Sequence, residues 1–296
     1  MQSETQAARN DAPLIRNISD TARWVASYRA LESERPDAHF HDPLARRLAG
    51  ERGEQIVRGM PKGTAFSWSI VVRTVLLDEF IMRAVERDGA DTVLNLAAGL
   101  DARPYRLRLP PTLRWIEVDL PEILEYKAEM LANERAVCEH EVMKLDLSNV
   151  EARRALFARV GANSERTLVI TEGLLVYLTP EAVGALAEDL HAQSSFRWWL
   201  IDIVRPEILK RMEKTWGRRV AEANAPFRFA PEEGTEFFRR HGWRELEFRS
   251  LMEESHRLKR EMPLAWLWRF LTRLQPASRR EKFRRMGGCA LLERES

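Results

Sequence analysis

Residues 93–107 read VLNLAAGLDARPYRL. The opening VLNL is a short apolar run of the kind that forms a fully buried strand, and a turn with Gly99 follows it. A dinucleotide-binding turn spaces its glycines as G-x-G-x-x-G, so that backbone amides and a helix N-terminus can approach a pyrophosphate. Here the aligned positions hold Ala97, Gly99 and Ala102. Asp101 then places a carboxylate where phosphate would sit, and like charges repel. The loop has the framework of a nucleotide site and the wrong charge for NAD or FAD.

The flanking sequence supplies the rest of a doubly wound sheet. Downstream, LRWIEVD (113–119), AVCEHEVM (136–143), RTLVITEG (166–173) and RWWLIDIV (197–204) read as strands, after DTVLNLA (91–97) as the first. Helices alternate with them: 121–134 opened by Pro121, 149–161 closed by Gly161, and 179–193 with Thr179 as N-cap and Pro180 in its first turn. Short apolar strands alternating with helices imply a parallel α/β sheet. PEEGTEFFRRHGW (231–243) reads as a helix. WRELEFRS (243–250) and GGCALLER (287–294) read as two late strands, expected to be antiparallel. That order implies a class I methyltransferase sheet, five parallel strands plus a late antiparallel pair, rather than a plain dinucleotide domain.

Upstream, the text is helical. SDTARWVASYRALESER (19–35) has apolar residues at helical spacing, and SWSIVVRTVLLDEFIMRAVER (67–87) forms a long amphipathic helix that ends before Gly89. His41-Asp42-Pro43 begins a short helix between them, with Asp42 as N-cap and Pro43 at the first helical position. Residues 1–18 read as frayed. The expected organisation is an N-terminal helical cap (1–66) and a core (67–296). The core includes a lid-like insertion at 205–230 and basic C-terminal helices.

Composition excludes several classes. With 47 Lys and Arg against 45 Asp and Glu, a net charge of +2 gives no general electrostatic case for nucleic acid or membrane. The two cysteines, Cys138 and Cys289, lack C-x-x-C spacing and read as reduced thiols of a cytoplasmic protein. No apolar run approaches transmembrane length, and the N-terminus lacks a signal peptide's apolar stretch. His39-x-His41-Asp42 lacks a third ligand cluster, so no metal is expected.

S-adenosylmethionine (SAM) suits the loop better than a dinucleotide. It has no phosphate, two positive groups and one carboxylate. Its pocket should be mostly acidic with one basic group. Asp119 closes the second strand 20 residues after Gly99 (119 − 99), the spacing of the ribose-binding acid in Rossmann-type sheets. Asp146 follows the third strand, where it can accept from the adenine amino group. Glu172 ends the fourth, where it can face the ammonium. Asp101 is compatible with the positive methionine end. Arg73, on the helix before the sheet, can meet the carboxylate as a charge-assisted fork.

The blocks LNLAAGLDARPYRL, WIEVDLPEILEYK, KLDLSN and ITEGLLVYLTPE resemble the signatures of the leucine carboxyl methyltransferase/PPM family of SAM-dependent O-methyltransferases. The N-terminal ISDTARWVASYRALESERPDAHFHDPLA resembles the bacterial branch, which includes polyketide O-methyltransferases. The resemblance is clear over residues 17–190. It implies that Gly99, Asp119, Asp146, Leu147 and Glu172 contact SAM, and that Arg73 holds the methionine carboxylate. It also departs from the family pattern: Ala97 and Ala102 replace a glycine and a hydroxyl residue in the loop, and Ala22 stands where the eukaryotic branch has lysine.

Methyl transfer from a sulfonium is an in-line displacement, so the main task is to position the acceptor oxygen. A carboxylate acceptor needs no base, whereas a phenol gains from one. Tyr177, in the E-G-x-L-x-Y block, is the candidate substrate-orienting residue, and Arg23 and Arg29 can attract an anionic small-molecule acceptor. Three other readings stay open. One is an NAD-dependent oxidoreductase. Another is an RNA methyltransferase gripping through 257–285, which holds ten basic residues and two acids. The third is a non-catalytic binding module on the same fold.

Overall fold

The structure is a computed structural model that describes residues 18–60, 66–217 and 226–295. Helices α1 (Ile18–Ser33), α2 (Ala45–Gly59) and α3 (Ser67–Glu86) precede the sheet. Then come β1 (Thr92–Leu96), a one-turn α4 (Arg103–Arg106), β2 (Arg114–Asp119), α5 (Pro121–Met130), β3 (Glu139–Lys144), α6 (Val150–Ala162) and β4 (Thr167–Thr171). A 3-10 turn (Leu175–Tyr177) leads to α7 (Pro180–His191), β5 (Phe196–Val204) and α8 (Pro206–Met212). A second 3-10 segment (Gly234–His241), β6 (Trp243–Ser250), α9 (Leu251–Arg257), α10 (Ala265–Arg273), α11 (Ala277–Arg284) and β7 (Gly287–Arg294) follow.

Seven strands form one sheet in the order β3-β2-β1-β4-β5-β7-β6. All neighbours on the β3 side of β5 are parallel, and β7 pairs antiparallel with both β5 and β6. Only β7 therefore runs against the rest, and the two late strands are antiparallel to each other. The chain lays down β1, β2 and β3 toward one edge, then returns to place β4 beside β1. That reversal is the switch point at which open α/β sheets bind ligands, outside the carboxyl ends of the strands.

Both central strands, TVLNL and TLVIT, are buried at every position. A strand covered on both faces must read as a continuous apolar run, which is why β1 and β4 show no alternation. One face packs Leu94, Leu96, Ile116 and Val169 against α6, α7 and the aromatic 3-10 segment. The other packs Val93, Trp115, Leu168 and Leu200 against α3. A third cluster joins Ala26, Leu44 and Leu48 of the N-terminal helices to Leu100 and Ala102 of the β1 loop and Leu124 of α5. The N-terminal helices thus share a core with the loop at the switch point.

Several boundaries differ from the sequence expectation. The Thr179 N-cap is present, its side chain accepting from the Ala182 amide at 3.2 Å. The helix expected from Pro43 starts at Ala45 instead. Asp42 does accept from the Leu44 amide at 3.2 Å, but its carboxylate is buried against Arg29 at 2.9 Å, and that ion pair fixes the turn. Gly161 does not close α6, which runs on to Ala162. A Cβ at 161 would stand 2.6 Å from the Gln193 Oε1, so the glycine serves close packing rather than termination. The expected helix within 231–243 is 3-10 rather than α, its Phe237 and Phe238 driven into the core. Residues 1–17 and the middle of the 205–230 insertion (218–225) lie outside the described residues.

Candidate active site

The β1 loop is held in an unusual backbone shape. Ala97 has φ +54° and Gly99 φ +52°. The left-handed region suits glycine but costs an alanine about 1–2 kcal/mol. Ala97→Gly should therefore raise stability by up to about 1 kcal/mol, part of the gain being lost to the unfolded chain's freedom. An increase in the thermal midpoint checks this, and a decrease would show that the Ala97 methyl makes a contact worth more than the strain.

Asp119 sits half-buried at the end of β2 and closes over the loop. Its Oδ2 accepts from the Gly99 amide at 2.6 Å and its Oδ1 from the Leu120 amide at 2.7 Å. Burial pushes its pKa up, against the pull of those two amides. Above Gly99 lies α1: a Cβ at position 99 would meet the Ala22 Cβ at 3.3 Å. Arg29 fastens the same helix to the loop by donating to the Leu100 carbonyl at 2.5 Å. Its charge is spent on Asp42, and Arg23 stacks over the Tyr126 ring at 3.6 Å, so neither expected anion-attracting arginine faces an open site.

Across the switch point, three arginines and four carboxylates interlock. Arg103 is 3% exposed at its side chain and touches Asp78 (2.6 Å), Asp101 (2.9 Å) and Glu172 (2.8 Å). Arg106 meets Asp78 at 2.7 Å. Arg73 lies 3.0 Å from Glu172 and 2.8 Å from Asp202. Asp202 in turn accepts from the Gly173 amide at 2.7 Å, and a Cβ at 173 would press on the Arg73 guanidinium at 3.5 Å. The structure therefore brings Arg73, Asp101 and Glu172 into one network. Asp101 turns inward, sharing its carboxylate between Arg103 and the Asn95 amide at 2.9 Å. Glu172 spends one oxygen on each of two arginines. Asp146 stands apart, exposed beyond β3 and accepting from the Ser148 amide at 2.8 Å, with Leu147 packed against the core beside it.

Burial is the largest single influence on Glu172 and Asp101 and works to raise both pKa values, but the surrounding cations together outweigh it, Arg103 foremost in both, with Arg73 at Glu172 and Lys127 at Asp101, and hold both low. Depressed carboxyl pKa values stabilise the fold above the unfolded range and lose that effect as pH falls through the folded values. Acid titration should therefore show stability falling below about pH 4.5, the ordinary glutamate value. Glu172→Gln should flatten part of that slope. An unchanged slope would show that Glu172 does not couple to folding.

Tyr177 caps the network from the 3-10 turn. It stacks on Phe227 with ring centroids 5.6 Å apart. Burial raises its hydroxyl pKa, against a hydrogen bond with Thr21 and the field of Arg73. At neutral pH it is a phenol that donates or accepts a hydrogen bond, not a phenolate base. Around it, Trp24, Phe66, Trp216 and Phe227 form an aromatic roof, with Trp216 edge-on to Trp24 at 5.3 Å and to Phe66 at 4.3 Å. Leu264 and Trp266 of the basic tail are exposed and stand outside this roof.

Sequence reading missed Asp78 and Asp202. Each is a charge inside an apolar run, VVRTVLLDEF and WWLIDIV, and that is the signal that marks them. His39 lies 2.5 Å from the Leu258 carbonyl. Among the described residues, no group of three or more His, Cys, Asp or Glu is placed to hold a metal ion.

Residues 22–191 match the leucine carboxyl methyltransferase family. A provisionally named SAM-dependent methyltransferase of Streptomyces coelicolor is 40% identical over 187 residues, which span 59% of this chain and 65% of that protein. Another, from Frankia alni, is 30% identical over 277 residues, 87% of this chain and 94% of that one. A DUF574-family protein from Streptomyces avermitilis superposes with a TM-score of 0.59 at 13% identity, covering 93% and 97% of the two chains. A provisionally named methyltransferase from Thermobifida fusca gives 0.52 at 16% identity, covering 96% of each. Those two likenesses are of fold, and the fold is that of class I methyltransferases. With the family match spanning more than half of its length, the chain belongs to the leucine carboxyl methyltransferase family.

Proposed function

We propose that the protein is a SAM-dependent O-methyltransferase acting on a carboxylate or phenolic hydroxyl of a small molecule. The observation that carries this reading is the donor set at the switch point. A half-buried carboxylate, Asp119, faces the Gly99 turn, and a buried arginine, Arg73, lies beyond it with no phosphate-binding glycines between. Arg73 Nε is buried and makes no aligned hydrogen bond despite its 3.0 Å approach to Glu172. A guanidinium at the switch point suits a ligand carboxylate, which it can meet as a charge-assisted fork. The residues present therefore fit SAM.

In this reading Asp119 takes the ribose hydroxyls, Asp146 and Leu147 border the adenine, and Arg73 takes the methionine carboxylate. Glu172, Asp202 and Asp101 are positioning residues: they hold Arg73 and Arg103 rather than touching the cofactor themselves. That revises the expectation that Glu172 faces the ammonium and that Asp101 lines the methionine end. SAM supplies an electrophilic methyl group. The chain's task is to hold an acceptor oxygen in line with it, under the aromatic roof and within hydrogen-bonding reach of Tyr177. A neutral Tyr177 orients the acceptor and does not deprotonate it, which favours an acceptor already ionised at neutral pH.

Isothermal titration with SAM and with NADH tests the cofactor assignment. SAM binding with no NADH binding is expected, and the reverse would overturn it. Transfer of labelled methyl from SAM to a set of carboxylic and phenolic acceptors then tests the chemistry. Transfer only to RNA would replace the small-molecule reading.

A further inference from the structure

Helix α10 turns a large apolar arc outward. A helix packed on a protein turns its apolar stripe inward. Among the described side chains of α10, Ala265, Arg269 and Thr272 are buried or half-buried. Trp266, Leu267, Phe270, Leu271 and the capping Leu274 are exposed, Trp266 by 63% and Leu274 by 68%. At 3.6 residues per turn these five fill one continuous arc of about 140°. Leu264, just before the helix, and Phe283 on α11 extend the patch. A contiguous apolar patch of this kind marks an interaction surface.

Charge identifies the occupant. Between Leu264 and Arg285 stand seven basic residues and one acid, Glu281, so the chain's near-zero balance conceals a strongly basic region. Arg269, Lys282, Arg284 and Arg285 have carboxylate partners. Arg279 has only the neutral Gln275, and Arg273 and Arg280 have no ion pair with any described carboxylate. All three are exposed. We propose that α10, flanked by Arg273, Arg279 and Arg280, lies in the surface of an anionic lipid bilayer. Large apolar side chains on one arc with arginines beside them are the make-up of an interfacial helix. Among the described residues no helix is long and apolar enough to cross a membrane, so the helix lies on the bilayer rather than spanning it. A second copy fits less well, because a twofold interface brings the same patch to both sides and sets these arginines against each other. Single-stranded nucleic acid fits less well because bases stack on aromatic planes, and most of this arc is leucine.

The test is co-sedimentation of the full chain with vesicles of phosphatidylcholine, alone or mixed with phosphatidylglycerol, at about 0.15 M salt. The wild-type chain should partition onto the mixed vesicles, and Trp266→Ser with Phe270→Ser should abolish this. Arg273→Glu with Arg280→Glu should lower partition onto the mixed vesicles roughly tenfold or more, and hardly change it on the neutral ones. Retained thermal midpoints confirm that both variants fold, since every changed side chain is exposed. Failure of the wild-type chain to bind either vesicle, or equal binding by the Trp266/Phe270 variant, overturns the proposal. So does a wild-type dimer that this variant splits, or RNA binding that the same variant removes.

Discussion

Arg103→Met should destabilise the protein by about 3–5 kcal/mol, the range for removing one partner of a buried ion pair. The guanidinium neutralises Asp78, Asp101 and Glu172 at once, from a side chain 3% exposed. Without it, three carboxylates are left in low dielectric, with Arg73, Arg106, Lys127 and Arg29 as the remaining nearby cations. Methionine keeps the apolar stem and much of the volume, so the loss reports charge and hydrogen bonding rather than a cavity. Urea unfolding reads it. Adding Asp101→Asn to the variant should recover part of the loss, because the two residues are in contact and do not act additively. A loss below about 1 kcal/mol, as for exposed pairs, would mean that water reaches these carboxylates.

The second large effect is on ligand binding. Asp119→Ala should weaken SAM binding at least about tenfold, since hydrogen bonds to a charged group contribute about 1.5–3 kcal/mol. The carboxylate also holds the Gly99 and Leu120 amides, so the substitution removes both the ligand contact and the loop's anchor. Asp119→Asn separates them. It retains an oxygen for one amide and loses the charge, so its affinity should fall between those of the wild type and the alanine variant. Titration calorimetry on all three checks the order. Unchanged affinity in Asp119→Ala would remove Asp119 from the site.

The sheet was legible because its two central strands are fully buried. A run such as TLVIT has no solvent face to encode, and each lay within a few residues of its expected place. The acid-and-glycine pair at the mouth was also legible, since Gly99 and Asp119 are joined by a spacing that parallel sheets impose. The arginine network was not. Asp78 lies 25 residues before Arg103, and Asp202 lies 129 residues after Arg73. Nothing local pairs them: Arg73 and Asp78 lie on α3, Arg103 opens α4 and Asp202 lies on β5, and the packing of α3 across the sheet brings them together. Glu172 at a strand end and Asp101 in the loop after β1 were placed correctly, but their partners could not be read from position alone. The same holds for α10, whose helical period is plain in the sequence while the direction of its apolar face depends on what it packs against.

The place of β7 has a consequence for how the chain is made. β7 is the last of the seven strands to be synthesised, and it lies between β5 and β6. Until it arrives, β6 has no hydrogen-bonding neighbour in the sheet, and β5 offers an unpaired edge. The first five strands can pair as they emerge, whereas the last two must wait and then close in a single step. Gly288 is what lets the wedge enter: a Cβ there would stand 2.4 Å from both the Arg249 carbonyl oxygen and the Phe248 ring. A nascent chain halted before residue 287 would carry a finished nucleotide-type half and an open apolar seam, the kind of intermediate that chaperones recognise.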